Sequence, residues 1–245
     1  MAINKESNGY TFGFAIALVI VVGSILSLLS MGLKPMQKRN EEVKNKLEIL
    51  KAMIDVDKLK IDRSNAETEF KKYVNEKDAV VLNAKGEVVE KGAAAFKVDI
   101  KKQFRDKSIS EEDRLYPLFK GNLDGKTVYI IPVVGKGLWG PIWGNVCIDS
   151  DMSTILGASF DHKSETPGLG AEIKQKFFID RWIGEKISND SGEFSAIKIV
   201  KDGSGPGAGN QKVDGITGGT ITSKGVEEMA NRCLAVYVPY FNSIK

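Results

Sequence analysis

The stretch VDGITGGTITSKGVEEM, residues 213–229, sets three threonine hydroxyls (Thr217, Thr220 and Thr222) among glycines, just ahead of a segment with helical spacing. Hydroxyls and glycines at a helix start can hold an anion. Glycine lets backbone N–H groups approach closely, and the first turn of a helix carries positive potential. Gly218, Gly219, Thr220 and Thr222 meet those requirements. Hydrolytic or metal chemistry has little to work with, because the chain contains one histidine, His162, and two cysteines, Cys147 and Cys233. Two cysteines cannot furnish the four thiolates of an iron–sulfur cluster or a structural zinc site. No catalytic residue and no metal ligand is assigned. A P-loop is excluded as well, since no Gly-Lys-Ser/Thr closes the run. The plainer alternative makes Thr222 or Ser223 a helix N-cap and the glycines a turn.

The elements that must position this cluster are strands, then a helix. AVVLNAKGEVVE (79–90) reads as a hairpin around Asn83–Gly86, and KTVYIIPVVG (126–135), WGNVCID (143–149), STILGASF (153–160) and EFSAIKIV (193–200) read as further strands. Pro132 suggests a sheet edge or a bulge. DRLYPLFKG (113–121) reads as loop, and KDGSGPGAGN (201–210) as a flexible glycine-rich loop. After Thr222, the residues Val226, Met229, Cys233 and Val236 form one helical apolar face, with Glu227 and Glu228 early in the helix. Hairpins outnumber crossovers, which predicts an α+β domain with a mainly antiparallel sheet.

Ahead of the domain, Ser7 to Leu33 carries no charge. A helix of about 20 apolar residues crosses a bilayer, so residues 10–32 are expected to be a single transmembrane helix behind a short tail, residues 1–9. Tyr10 and Phe12 suit one interface and Lys34 the other. A cleaved signal peptide is the alternative, with Ser30-Met31-Gly32 as its processing site, but the n-region is barely basic and the apolar run is long for one. Residues 33–57 form a connecting amphipathic helix with Val43, Leu47, Leu50 and Ile54 as its stripe. That stripe is free to pack on the domain (58–245) or on another subunit. The net charge of +3 is spread along the chain, which argues against a nucleic-acid partner.

Two more glycine stretches stand out, GKGLWGPIWG (135–144) and HKSETPGLGAEI (162–173). GITGGTIT resembles the Ser/Thr-Gly-Ala-Thr-x-Thr motif of the covalent-FMN-binding domain family, and Gly137–Gly140 and Glu165–Gly170 are similar to its Gly-Leu-Trp-Gly and Glu-Thr-Pro-Gly-Leu-Gly motifs. The order of the motifs and the N-terminal anchor match over nearly the whole chain. Gly219 stands where the motif usually has alanine. The similarity runs to the form carried by Na+-translocating NADH:quinone oxidoreductases. The resemblance implies an FMN esterified through its phosphate to Thr220 by a separate flavin transferase. Thr222, Gly218, Gly219 and Thr217 would surround the phosphate. Lys212 and Lys224 flank the loop, where they could neutralise phosphate charge or equally be solvated surface lysines. Glu165, Thr166, Gly168, Leu169 and Gly170 would lie against the ring or ribityl chain, as would Leu138, Trp139 and Gly140.

By the same resemblance the chain relays electrons as one subunit of a redox-driven sodium-translocating enzyme. Iron–sulfur-bearing and second FMN-bearing subunits would be its partners, in the lipid of a bacterial inner membrane. Lysines after the span argue for a cytoplasmic domain, whereas the family implies a periplasmic one, which is the expectation adopted. The FMN-carrying subunit of the Rnf ferredoxin:NAD+ oxidoreductase complex is the nearest alternative. A cofactor-free membrane-anchored assembly module and a secreted soluble enzyme are the others.

Overall fold

The computed structural model describes residues 7–201, 203–205 and 209–245, so the expected tail and the glycine-rich loop at 201–210 lie partly outside the described residues. The chain divides into two units, residues 1–45 and 46–245.

One helix, α1 (Asn8–Met53), runs unbroken through the expected span and most of the expected connecting helix, with Pro35 inside it. In the first unit it contains an 18-residue window of mean hydropathy 2.7, none of it buried. Phe12, Ile16, Val19, Leu26 and Leu28 are all exposed along it. A helix that is apolar on all sides is built for a nonaqueous surround. At 1.5 Å per residue, residues 10–32 extend about 35 Å, enough for a hydrocarbon layer of about 30 Å.

In the second unit the described residues form a six-stranded antiparallel sheet, ordered β2-β1-β3-β4-β5-β6. Its strands are β1 (Val80–Leu82), β2 (Val88–Lys91), β3 (Tyr116–Leu123), β4 (Lys126–Lys136), β5 (Pro141–Ile148) and β6 (Ile155–His162). The β1–β2 hairpin turns on Gly86, at φ +79°. The Asn83 side-chain oxygen there accepts from the Lys85 and Glu87 N–H groups. A short parallel pair, β7 (Lys198–Val200) and β8 (Lys212–Asp214), leads into the threonine cluster.

Alternation along the strands divides the core in two. Ile131, Val133, Ile142, Val146 and Phe160 face Trp182 and the two C-terminal helices, α5 (Thr220–Ala235) and α6 (Tyr237–Ile244). Val81, Phe119, Ile130 and Cys147 face the end of α1 through Leu50 and Met53, and α2 (Ala66–Tyr73) through Phe70. Leu47, Leu50 and Ile54 of the predicted stripe therefore pack on the domain's own sheet. Two shorter helices complete the unit, α3 (Ile100–Arg105) and α4 (Lys176–Ile179). Cys147 and Cys233 belong to opposite core layers and both are free thiols. Burial pushes the Cys147 thiol up to about 12.

Two readings change. Residues 116–121 are strand rather than loop: Tyr116–Phe119 are all buried, and Pro117 sits near the strand start with its carbonyl accepting the Tyr237 hydroxyl at 2.8 Å. Pro132 lies in an interior strand, yet its position fits the proline rule. The β3–β4 ladder ends at Phe119↔Ile130; its register carried on would set Pro132 opposite Pro117, and neither proline has an N–H to donate, so β4 is paired only with β5 at Pro132.

Helix α5 presses onto β4 at two points without side chains. A methyl on Gly225 would collide with the Lys136 carbonyl, and one on Gly135 would lie 2.6 Å from Met229 Cβ. This close seat fixes the start of α5 beside the turn that follows β4.

Candidate functional site

The first of the three glycine stretches is the turn between β4 and β5, closed by the Gly137 N–H donating to the Gly140 carbonyl at 2.8 Å. The second follows β6. The third joins β8 to α5. Glu165 links all of them. Its Oε1 accepts from the Trp139 backbone N–H at 2.8 Å and its Oε2 accepts from the Thr222 hydroxyl at 2.6 Å. Its own N–H donates to His162 Nδ1 at 3.2 Å. Glu165 and Thr222 are both buried. A Cβ on Gly137 would stand 2.6 Å from Glu165 Oε1, and one on Gly170 would stand 2.6 Å from Oε2 and collide with Thr222 Oγ1. Those two glycines make the room in which the carboxylate sits. Ser164 Oγ adds a bond to the Trp139 carbonyl at 3.1 Å, and Gly140 packs against that serine.

Thr220 is treated differently. It is the first residue of α5, follows the N-cap Gly219, and is exposed. The helix therefore starts two residues before the Thr222 expected to cap it. The Ser223 hydroxyl accepts from the Ile216 N–H at 3.1 Å, and a turn from Ile216 to Gly219 closes at 2.9 Å. Gly218 takes φ +76°, a conformation open to glycine, and a Cβ there would press into the Leu169 side chain. Thr217 is exposed on the same turn. Gly219 is backed by Ile216 Cγ2 and the Leu169 carbonyl, which a Cβ would meet at 3.0 and 3.1 Å.

The remaining predicted residues border these loops. The Thr166 carbonyl accepts from the Leu169 and Ala171 N–H groups at 3.2 and 3.1 Å. Gly168, at φ +76°, donates its N–H to Glu172 at 2.8 Å. Four apolar side chains of the three loops stand in solvent, Leu138 at 46%, Trp139 at 65%, Leu169 at 42% and Ile221 at 61% exposed. Surface Lys212 begins β8, the strand that leads to the threonine turn. Lys224 is committed elsewhere: its ammonium donates to the Ile199 carbonyl at 2.6 Å and pairs with Glu227 at 2.7 Å.

Arg181 has no signal in the sequence, yet its guanidinium donates to the Asp214 and Gly215 carbonyls at 3.1 and 2.8 Å, clamping the chain just before the threonine turn. Glu185 carries no signal either. It is fully buried and accepts from the Gly209 and Gln211 N–H groups at 3.1 and 2.5 Å, which anchors the loop that feeds β8.

A family model described as an FMN-binding domain matches residues 137–235, a span that begins at the β4–β5 turn and ends with α5. The C subunit of the Na+-translocating NADH-quinone reductase of Vibrio parahaemolyticus is 31% identical, over 93% of this chain and 90% of that protein. The chain belongs to the family of these C subunits. A Parabacteroides distasonis crystal structure of such a protein is 41% identical with a TM-score of 0.72, covering 85% of this chain and 96% of that one. The Shewanella oneidensis NqrC structure shares the fold with a TM-score of 0.64 at 24% identity.

The residues fit a flavin mononucleotide. A phosphate needs a glycine-lined approach at a helix N-terminus, which Gly218, Gly219 and the first turn of α5 offer. A planar ring needs apolar surface, which Leu138, Trp139 and Leu169 present.

Proposed function

We propose that the chain is the membrane-anchored electron carrier of a sodium-pumping NADH:quinone oxidoreductase, working through an FMN joined by its phosphate to Thr220. Its family consists of subunits of that oxidoreductase complex, and the long apolar part of α1 fits a single-pass anchor. The observation that carries the proposal is the contrast within one helical turn: the Thr220 hydroxyl is exposed and preceded by two glycines, while the Thr222 hydroxyl is buried on Glu165. A flavin transferase can reach the first and not the second.

Bound FMN supplies the electron-carrying chemistry. The chain's own residues hold and orient it. Thr220 takes the ester, and Gly218, Gly219 and the free N–H groups of the first turn of α5 accommodate the phosphate, with Lys212 and Thr217 on its approach. Leu138, Trp139 and Leu169 offer the ring an apolar surface. Thr166, Gly168 and Gly170 shape the turn that holds the Leu169 backbone, and Glu165 with Thr222 acts as the brace behind the site. The flavin's covalent attachment retains it outside the cytoplasm, where a lost FMN could not be replaced.

In this reading residues 10–32 cross the bacterial inner membrane, 33–57 lead out of it, and 58–245 form a periplasmic FMN-binding domain behind the 1–9 tail. Electrons arrive from an iron–sulfur-bearing subunit and leave to a second FMN-bearing subunit.

Intact mass and in-gel flavin fluorescence of protein from its native host test the proposal. Wild type should carry one FMN less one water and fluoresce after denaturation, and Thr220→Val should do neither. An unmodified wild type from a host that contains the flavin transferase would return Thr220 to the role of a helix-start residue.

A further inference from the structure

A cleft of about 830 Å³ opens between the end of α2, the β1–β2 and β3–β4 hairpins and α6. None of the residues of the three motif loops lines it. It is separated from them along β4: Tyr129 borders the cleft and Lys136 enters the Gly137–Gly140 turn, seven residues or about 24 Å away at the rise of a strand.

The lining is electrostatically one-sided. Lys71, Lys72, Lys77, Lys91 and Lys120 contribute to it, against the single acid Asp78. Lys72 is paired with Glu69 at 2.7 Å, and the Asp78 carboxylate takes the Asn75 amide at 2.7 Å. Lys71, Lys77 and Lys91 have no ion pair among the described residues. Lys120 holds its ammonium 5.9 Å from the ring centroid of Tyr129, its partner across the β3–β4 ladder. Gathering unpaired ammonium groups around a concavity concentrates positive potential there.

Two phenols give a second, independent sign. Tyr129 and Tyr240 line the cleft and are only 6% exposed each, yet neither hydroxyl makes a hydrogen bond among the described residues. Neither hydroxyl is sealed from solvent, so each ring is packed while its oxygen stays open to the cleft and free to bond a ligand. A ligand that brings acceptor oxygens would satisfy both the ammonium groups and the phenols, and phosphate oxygens do so most strongly because the bonds are charge-assisted. The volume lies within the 300–1,000 Å³ or so typical of small-molecule clefts.

We propose that this cleft binds a phosphate-bearing small molecule of nucleotide size, held by Lys71, Lys77 and Lys120 and by the hydroxyls of Tyr129 and Tyr240. It is a ligand site separate from Thr220, and it stands whether or not Thr220 carries a flavin.

The test is calorimetric titration of the full-length chain in detergent, at low salt, with ADP and with inorganic pyrophosphate. ADP should bind at one saturable site. The combined Lys71→Gln, Lys77→Gln and Lys120→Gln substitutions should weaken it by about tenfold or more, and added salt should weaken it further. Tyr129→Phe keeps the ring contact with Phe241 (centroids 5.0 Å apart) and so keeps the fold; it should weaken ADP severalfold without moving the thermal midpoint. Displacement of ADP by pyrophosphate would support phosphate as the handle, and ADP binding that excess pyrophosphate leaves unchanged would overturn it. Absence of saturable binding for both probes would overturn it, as would binding unchanged by the lysine substitutions. Binding to anionic-lipid vesicles but to neither soluble probe would overturn it too.

Discussion

Thr220 and Thr222 stand two residues apart at the start of α5, yet one faces solvent and the other is buried on a carboxylate. At 3.6 residues per turn, a two-residue step rotates a side chain by about 200° around the helix axis. Opposite environments therefore follow from where the helix begins. The exposed face is open to chemistry from outside, and the buried face braces it through Glu165, Trp139 and the room left by Gly137 and Gly170. On this fold an exposed hydroxyl is held still by a buried brace that lies behind it.

Substitutions on the buried face should be expensive and those on the exposed face nearly silent. The largest loss of stability is expected for Gly170→Ala, whose methyl would overlap both Thr222 Oγ1 and Glu165 Oε2. Denaturant unfolding should show about 3 kcal/mol of destabilisation, the upper range for overpacking. Thr222→Val keeps the shape but removes the donor to Glu165. It should cost about 2 kcal/mol in the same assay, the value for leaving a buried acceptor short of its partner. Should Thr222→Val cost nothing, the brace between Glu165 and α5 would be dispensable.

A second buried carboxylate sharpens the comparison through pH. Burial holds the Glu185 carboxyl above its usual range, although the N–H groups of Gln211 and Gly209 pull the other way. A folded-state value above the unfolded one means that its contribution is complete at low pH and is lost as pH rises from about 4.5 through the folded value. Glu185→Gln should therefore flatten the decline of stability over that window, measured by thermal unfolding across pH. Smaller still is Gly219→Ala, which supplies the alanine of the motif that this stretch resembles. Reduced chain entropy and the tight contacts to Ile216 and the Leu169 carbonyl should nearly cancel, leaving stability within about 1 kcal/mol of wild type. Thr220→Val, on the exposed face, should change stability by about 0.5 kcal/mol or less.

Much of this is legible in the chain. The uncharged run from Ser7, the hairpin at Asn83–Gly86 and the three glycine stretches each carry local signals, and the α+β fold with its antiparallel sheet follows from them. The division of labour between Thr220 and Thr222 is not legible, because it depends on a helix register set by Gly225 and Gly135 pressing α5 onto β4. Nor is the brace: Glu165 meets Thr222 across 57 residues of chain, and Arg181 reaches Gly215 across 34. The strand at Tyr116–Leu123 is hidden by Pro117, whose position near the strand start and buried neighbours outweigh the usual reading of proline as a breaker.

The most direct test of the central claim is to locate the modification within one peptide. Trypsin cutting after Lys212 and Lys224 releases residues 213–224, which contain Thr217, Thr220 and Thr222 together. Fragment-ion sequencing of that peptide from the native-host protein should place a phosphate-linked FMN on Thr220 and leave the other two threonines unmodified. Finding it on Thr222 would contradict the account outright, since that hydroxyl is buried on Glu165 and could be reached only if the brace came apart.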